Sequence, residues 1–431
     1  MELEPGDILE GSEEKWEVLR FLGKGKCCSV FEARLEGEGL DNERRAALKF
    51  YKKEEKYTSA GMNEAQILQK IHSEDESSSY GRCFVVKLLD VFSCDGYLCL
   101  INPLLSCSLY HILTKGSWEN GLPMYVVQKC CRDLAGGIEY LRQKHIVHGD
   151  IKPTNIMWDS KNEVFQFVDF GLSFTEGQQP AQQIQSPGFQ APEAQEWNKN
   201  VLKPVTEVPM CSSACDTWSM ACVLFLLHTG QSLFQVDSHL SIICHACHQD
   251  HPVDCIHGKE VTNQLLQHSS QNKDVFSKNH LESMTDLLIK MVKCRPDDRI
   301  TPSEILDHSF LSPQLTITNP SLVELLFLPT RVLLLTNMFE NTSELNQSDE
   351  YEDFIDDIKE ECSRFGVVKS VRIPCVEYGS TNTDLLGKVF VEFENTQDCE
   401  ECQRCLTGRI FNQRTVITSF YPFKKYKDLV H

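Results

Sequence analysis

The sequence predicts an α+β chain in two parts: a larger unit that opens on strands and then turns helical, and a smaller unit of order βαββαβ. Three observations carry this reading. Short apolar stretches broken by glycine and charge run from Trp16 to Leu48, as in strands joined by tight turns. From Pro123 onward apolar residues recur at helical intervals, and mainly helical sequence continues to about Phe310. Pro313, Pro320 and Pro329 then interrupt regular structure, and a new alternation of strand and helix begins at Arg331. These changes set boundaries at 1–15 for an N-terminal tail, 16–311 for the large unit, 312–330 for a linker and 331–425 for the small unit.

The elements follow in order. WEVLRFLGKGKCCSVFEARL reads as two strands around a glycine turn, and AALKF as a further strand. NEAQILQKIH places Ala65, Leu68 and Ile71 on one helical face, and after two more strands the segment from Pro123 to Leu141 resumes that period. In the small unit RVLLLTNMF is a strand, EYEDFIDDIKEECSRFG a helix, VVKSVRIP and GKVFVEF strands, TQDCEECQRCLTG a helix and RTVITSFY the last strand.

Composition narrows the function classes. A chain of 431 residues with a formal charge of −20 does not suit non-specific binding to nucleic acid or anionic lipid, which clustered Lys and Arg drive. Its 20 cysteines are dispersed, some in adjacent pairs such as Cys27 and Cys28, and the start MELEPGDILE is acidic, so a reducing compartment is expected rather than a disulfide framework. The longest apolar runs, such as Met220 to Leu227, fall well short of the roughly 18 residues a membrane span needs, so no membrane role is expected.

The large unit spaces out the parts that phosphoryl transfer needs. LGKGKCCSV holds Gly23 and Gly25 in a turn where bare backbone can lie against phosphate oxygens, although taken alone the pair is better explained by a plain hairpin. Lys49 stands in an otherwise apolar strand and needs a partner, which Glu64 on the next helix can supply. HGDIKPTN then offers Asp150, Lys152 and Asn155 in a loop, and VDFGLSF offers Asp169. Two hard oxygen ligands, Asn155 and Asp169, suit Mg2+ on a polyphosphate.

In this order, with QAPEA at 190–194 and DTWS at 216–219, the residues from about Trp16 to Phe310 resemble the eukaryotic protein kinase signature set. The resemblance implies a bilobal kinase fold and a non-specific serine/threonine protein kinase using ATP and Mg2+. By that resemblance Leu22, Gly23, Gly25, Val30, Lys49 and Glu64 serve ATP, the backbones of Asn102 and Leu104 meet the adenine edge, and Ile101 guards the pocket. Asp150 accepts the substrate hydroxyl proton, Lys152 neutralises the moving phosphoryl group, and Asn155 and Asp169 hold the metal. Asp216 and the Glu193–Arg299 pair are implied to be structural. Cys28 departs from the pattern in place of a third glycine, and Gly149 stands where most kinases carry an arginine that binds a phosphorylated loop. Activity without loop phosphorylation is therefore expected, and a catalytically weak pseudokinase scaffold linking splicing factors is the alternative. Gln190 replaces the arginine that usually precedes this motif in proline-directed kinases, so a preference for Ser-Pro sites is expected to be relaxed.

The small unit resembles the RNA-recognition motif, but Leu334 and Lys388 occupy two of the three positions where stacking rings are expected, leaving Phe390. RNA binding by the sheet is not expected. Asp353, Asp357 and Glu361 recur every four residues on the first helix, forming an acidic stripe that repels phosphate. With Arg409 and Phe411 in LTGRIFNQ, this pattern is similar to the homology motif (UHM) of the U2 auxiliary splicing factor, which binds tryptophan-containing peptides. It implies that Phe411 walls a tryptophan pocket, Arg409 closes it, and Asp357 and Glu361 pair with basic ligand residues. A kinase joined to this module resembles the stathmin-interacting kinase family, which implies splicing factors and stathmin-like proteins as partners and a place in nucleus and cytoplasm.

Two cysteine clusters remain. CHACHQDHPVDCIH, from Cys244 to His257, has zinc-compatible residue types, though a variable metal-free loop also fits. Cys399, Cys402 and Cys405 fall along one helix, where buried thiols are expected.

Overall fold

The computed structural model describes residues 3–36, 44–72, 81–115, 121–122, 124–178, 180, 182–200, 211–234, 261–263, 265, 278–311, 329–336, 338, 348–374, 388–407, 409–411 and 414–428. The cluster from Cys244 to His257 lies outside these residues. The chain divides into two compact units, Met1–Met157 with Val164–Thr318, and Trp158–Glu163 with Asn319–His431.

The first unit opens on strands β1 (Ile8–Glu10), β2 (Lys15–Lys24), β3 (Cys28–Leu35) and β4 (Arg45–Tyr51), followed by helix α1 (Glu55–His72), β5 (Asp90–Cys94) and β6 (Tyr97–Pro103). These six strands form an antiparallel sheet in the order β1-β2-β3-β4-β6-β5. The glycine turn is real: Gly25 N–H bonds the Cys28 carbonyl at 2.8 Å, closing β2 onto β3. Alternation gives the sheet two faces. One buries Trp16, Val18, Phe31, Leu48, Phe50 and Ile101, and the other carries Tyr51, Leu98 and Leu100 against Ala65 of α1.

The helical region then runs through β7 (Cys107–Ser108), α2 (Leu109–Lys115), α3 (Met124–Gln143), β8 (Ile146–Val147), β9 (Ile156–Asp159), β10 (Val164–Phe167), β11 (Phe174–Thr175), α4 (Pro192–Asn200), α5 (Ser213–Thr229), α6 (Lys278–Met291) and α7 (Pro302–Leu306). The short strands, of which the sequence shows the apolar one before Asp169, pair as β10-β9-β7 and β11-β8. They frame the loop from His148 to Asn155. Helix α5 is capped by the Ser212 side chain at its start and by left-handed Gly230 at its end, and nearly its whole surface is buried. A fully buried bidentate pair, Arg299 with Glu193 at 2.5 and 2.7 Å, ties the start of α4 to the segment before α7.

In the second unit β12 (Val332–Thr336), α8 (Ser348–Ser363), β13 (Val368–Arg372), β14 (Val389–Phe393), α9 (Thr396–Leu406), β15 (Ile410–Phe411), β16 (Arg414–Thr415) and β17 (Ile417–Phe420) are followed by α10 (Phe423–Asp428). The main sheet is antiparallel in the order β13-β14-β12-β17, the arrangement a split βαβ unit requires. One face packs Leu333, Leu335, Val389, Val391 and Phe393 against Ile358, Cys362, Cys399 and Cys402 of the two helices. Cys405, expected among the buried thiols, is only half-buried and leans on Glu401 of its own helix. The opposite face is covered by Tyr421, Phe423 and Tyr426, which lie with Val332, Leu334 and Phe390. The short helix α10 and the antiparallel pairing of β15 with β16 are absent from the sequence reading.

Candidate active site and ligand-binding face

Sheet register assembles the nucleotide end of the site. Gly23 pairs with Val30, Val30 with Lys49 and Lys49 with Leu100, so four positions from four strands form one row. Ala47 and its partner Asn102 lie on that same face, whereas Leu22 is exposed and Leu104 half-buried in the stretch leaving β6. Asn102 is itself buried and donates its side-chain amide to the Lys87 carbonyl at 2.9 Å. Ile101 needs correction: strand alternation turns it to the opposite face, among Leu48, Phe50 and Cys99, so it is Leu100 and Asn102 that share the Lys49 face.

Lys49 reaches Glu64 at 2.6 Å and Asp169 at 3.8 Å. Burial works against its charge, but Glu64 and Asp169 outweigh burial and leave the ammonium pKa raised, so Lys49 is a permanent cation. Asp169 shows the converse. Half of its side-chain surface is accessible, yet the surrounding protein still opposes its charge; Lys49 first, and Lys152 with it, prevail and hold its pKa below the ordinary carboxylate value. Its backbone sits in the left-handed region at φ 65°, which turns the carboxylate out of β10's line.

The loop from His148 to Asn155 supplies the transfer groups. Lys152 Nζ lies 2.8 Å from Asp150 Oδ2 and 2.9 Å from Ser186 Oγ, and Ser186 donates to Asp150 Oδ1 at 2.8 Å. Asn155 donates its amide to the Asp150 carboxylate and carbonyl, both at 3.0 Å, leaving Oδ1 as the atom able to face a cation. Asp216 fixes the loop from below, accepting the backbone N–H groups of His148 at 2.7 Å and Gly149 at 3.0 Å. Gly149 adopts φ 75°, and a Cβ there would stand 2.8 Å from the Leu172 carbonyl, so glycine relieves both strain and crowding.

The donor set fits a divalent cation bound with phosphate. Asp169 is ionised, Asn155 presents an oxygen, and among the described residues no group of three His, Cys, Asp or Glu forms a closed metal cage. Such an ion would rest on these two side chains and supply Lewis-acid stabilisation of phosphate charge. The Asp150 carboxylate so placed could accept a proton, and the Lys152 ammonium beside it could meet a phosphate oxygen.

Sequence reasoning missed several residues of this site. Ser186 lies in a Gln- and Pro-rich tract, so nothing in its surroundings marks it. Gln185, buried at φ 58°, donates to the Cys215 carbonyl and Ser219 and accepts from the Ala191 N–H. Its own carbonyl is taken by the Gln190 side chain at 2.9 Å. Asn63 donates to the carbonyls of Gly171, at 3.4 Å, and Ser173, at 2.8 Å, tying α1 to the segment after Asp169. The phosphate turn carries two thiols whose pKa values burial raises, Cys28 to about 12 and Cys27 in the same direction.

In the second unit Phe390 is fully buried beneath Tyr421 and Tyr426, so it offers no ring for stacking. Across the domain, Phe411 is half-buried and meets Phe354 of α8 edge-on with ring centres 5.6 Å apart. Arg409 bonds Glu361 at 2.7 Å, and Arg364 bonds the same carboxylate at 2.7 Å. Glu361 therefore already carries two cations from its own chain, while Asp353 and Asp357 are exposed on the same helix.

Comparison with known proteins agrees with this geometry. Residues 16–311 match the protein kinase domain, and residues 355–417 the RNA recognition motif. The serine/threonine-protein kinase Kist of Homo sapiens is 31% identical over 433 residues, covering 98% of this chain and 96% of the relative, and the Rattus norvegicus protein gives the same values. The DYRK-family kinase pom1 of Schizosaccharomyces pombe is 27% identical over 71% of this chain and 28% of its own length. The chain thus belongs to the serine/threonine protein kinase family, as a kinase domain followed by an RNA recognition motif domain similar to Kist.

Proposed function

We propose that this kinase transfers the γ-phosphoryl group of ATP, with Mg2+, to Ser or Thr followed by proline, on splicing factors and stathmin-like proteins in nucleus and cytoplasm, and that the second unit recruits those proteins by binding basic, tryptophan-containing peptides. The observation that carries recruitment is the burial of Phe390 under α10. A recognition-motif sheet stacks bases on open rings, and this one has its ring covered by its own chain. What remains is the pairing of α8 with Arg409 and with Phe411 of β15, where an aromatic wall, an arginine and exposed carboxylates suit an indole flanked by cations.

Preference for proline has its own support. Gln185 precedes Ser186, which touches Asp150, so its backbone runs beside the residue that follows the acceptor. With the Gln185 carbonyl already accepting from Gln190, it is a poorer acceptor for the N–H of that residue. Proline has no N–H to satisfy, whereas any other residue brings a donor that this carbonyl meets less fully. Gln190 thereby does with an amide what the sequence reading assigned to an arginine alone.

One assay tests both halves: phosphorylation of a basic peptide carrying one tryptophan and one Ser-Pro site. The expected pattern is loss of turnover in Asp150→Asn, a raised KM with unchanged kcat in Phe411→Ala, and a lower kcat/KM when the proline becomes alanine. Equal KM for wild type and Phe411→Ala would remove the peptide-recruitment reading, and indifference to the proline would remove site preference.

A further inference from the structure

Glu64 raises a problem that Lys49 alone does not solve. The residue is fully buried, and a carboxylate out of water needs a donor on each oxygen. Lys49 supplies one, at 2.6 Å from Oε1. The other comes from the Tyr51 hydroxyl, which donates to Oε2. Lys49 and Tyr51 are two apart on β4 and so project from the same face of the strand, straddling the carboxylate. Burial first, and then the Glu64 charge, raise the phenol pKa, so the hydroxyl keeps its proton and remains a donor.

A second observation bears on the same ring. Gly61 sits in the interior of α1, one turn before Glu64, where glycine is unfavourable by about 1 kcal/mol relative to alanine. A Cβ there would stand 2.9 Å from Tyr51 Cε1 and 2.7 Å from Leu98 Cδ2. The helix is thus cut back where the tyrosine ring passes beneath it, and the ring delivers its hydroxyl to the next turn.

We propose that Tyr51 is a positioning residue for phosphoryl transfer: it holds Glu64, and through it Lys49, in register with Asp169. Lys49 is shared between Glu64 and Asp169, at 2.6 and 3.8 Å, so the place of Glu64 sets where the ammonium meets the nucleotide phosphates. Without the hydroxyl the carboxylate is free to rotate its second oxygen toward Lys49 and draw the ammonium back from the cleft.

The test is steady-state kinetics on Tyr51→Phe, which keeps the ring in its slot and removes only the donor. The expected result is a drop on the order of tenfold in kcat/KM for ATP, as for loss of one hydrogen bond to a charged group, with KM for peptide unchanged. In a Glu64→Ala background the same substitution should cost nothing more, because its effect passes through the carboxylate. Gly61→Ala, which crowds the ring while keeping the hydroxyl, is a second variant expected to impair the ATP side selectively. Wild-type ATP kinetics in Tyr51→Phe, or an equal loss with and without Glu64, would overturn the proposal. The inference rests on phosphoryl transfer by this chain; an inactive wild type defeats that reading, whereas an active wild type with an indifferent Tyr51→Phe defeats only this one.

Discussion

At the scale of single residues, His148 shows how a loop is tuned by what each ring nitrogen faces. Nδ1 accepts the Asp150 N–H at 3.2 Å and Nε2 lies 3.2 Å from the Val168 carbonyl, so the ring is neutral with its proton on Nε2. Burial pushes its pKa down to about 4. A proton added at Nδ1 would point at the Asp150 N–H, donor against donor. Because the unfolded chain takes up that proton near pH 6.5 and the folded one only near 4, His148 stabilises the fold above about 6.5 and this contribution fades as pH falls toward 4. Asp216 runs the other way: burial lifts its carboxyl to about 7, so its folded state gains relative stability as pH falls below that value. The melting temperature of His148→Phe is accordingly expected to drop less than that of wild type on acidification from about pH 7 to about 5, and parallel drops would refute the assignment. The key aspartates and Lys49 were legible in sequence because their spacing is unusual. Tyr51 and Ser186 were not, because a tyrosine in a strand and a serine beside a proline are ordinary until a partner from elsewhere reaches them.

Among the elements, the small helix α10 decides what the second sheet can do. Its six residues, FKKYKD, are too short for an apolar period to register, which is why the sequence ended its last strand without a following helix. Tyr426 is nevertheless almost wholly buried, and its hydroxyl meets Ser370 of β13 at 2.7 Å. Tyr426→Ala is expected to lower the stability of this domain by about 3 to 5 kcal/mol, as for other large aromatic deletions, and to expose Phe390. Thermal unfolding checks the first outcome, and quenching by an aromatic dye the second. By contrast, the order of strands and helices in this domain was legible, because each of its longer elements alternates or repeats cleanly. The short strands β8, β9 and β11 were lost inside a helical stretch for the opposite reason: two to four residues carry no period at all.

For the molecule as a whole, the charge of −20 makes attraction of cationic partners a general property, with α8 its local focus. Binding of a basic tryptophan peptide should therefore weaken severalfold as salt rises from ~0.05 to ~0.5 M, since the screening length shrinks from above 10 Å toward a few ångströms. Titration at both salt levels measures it; an unchanged Kd would leave the indole as the sole source of affinity. The same molecule carries 20 cysteines, and two of them, Cys27 and Cys28, lie in the glycine turn between β2 and β3. Because both thiols keep their protons at neutral pH, peroxide and acrylamide warheads alike meet poor nucleophiles there. The glycine turn thus carries two protonated thiols where an ionised sulfur would react fastest.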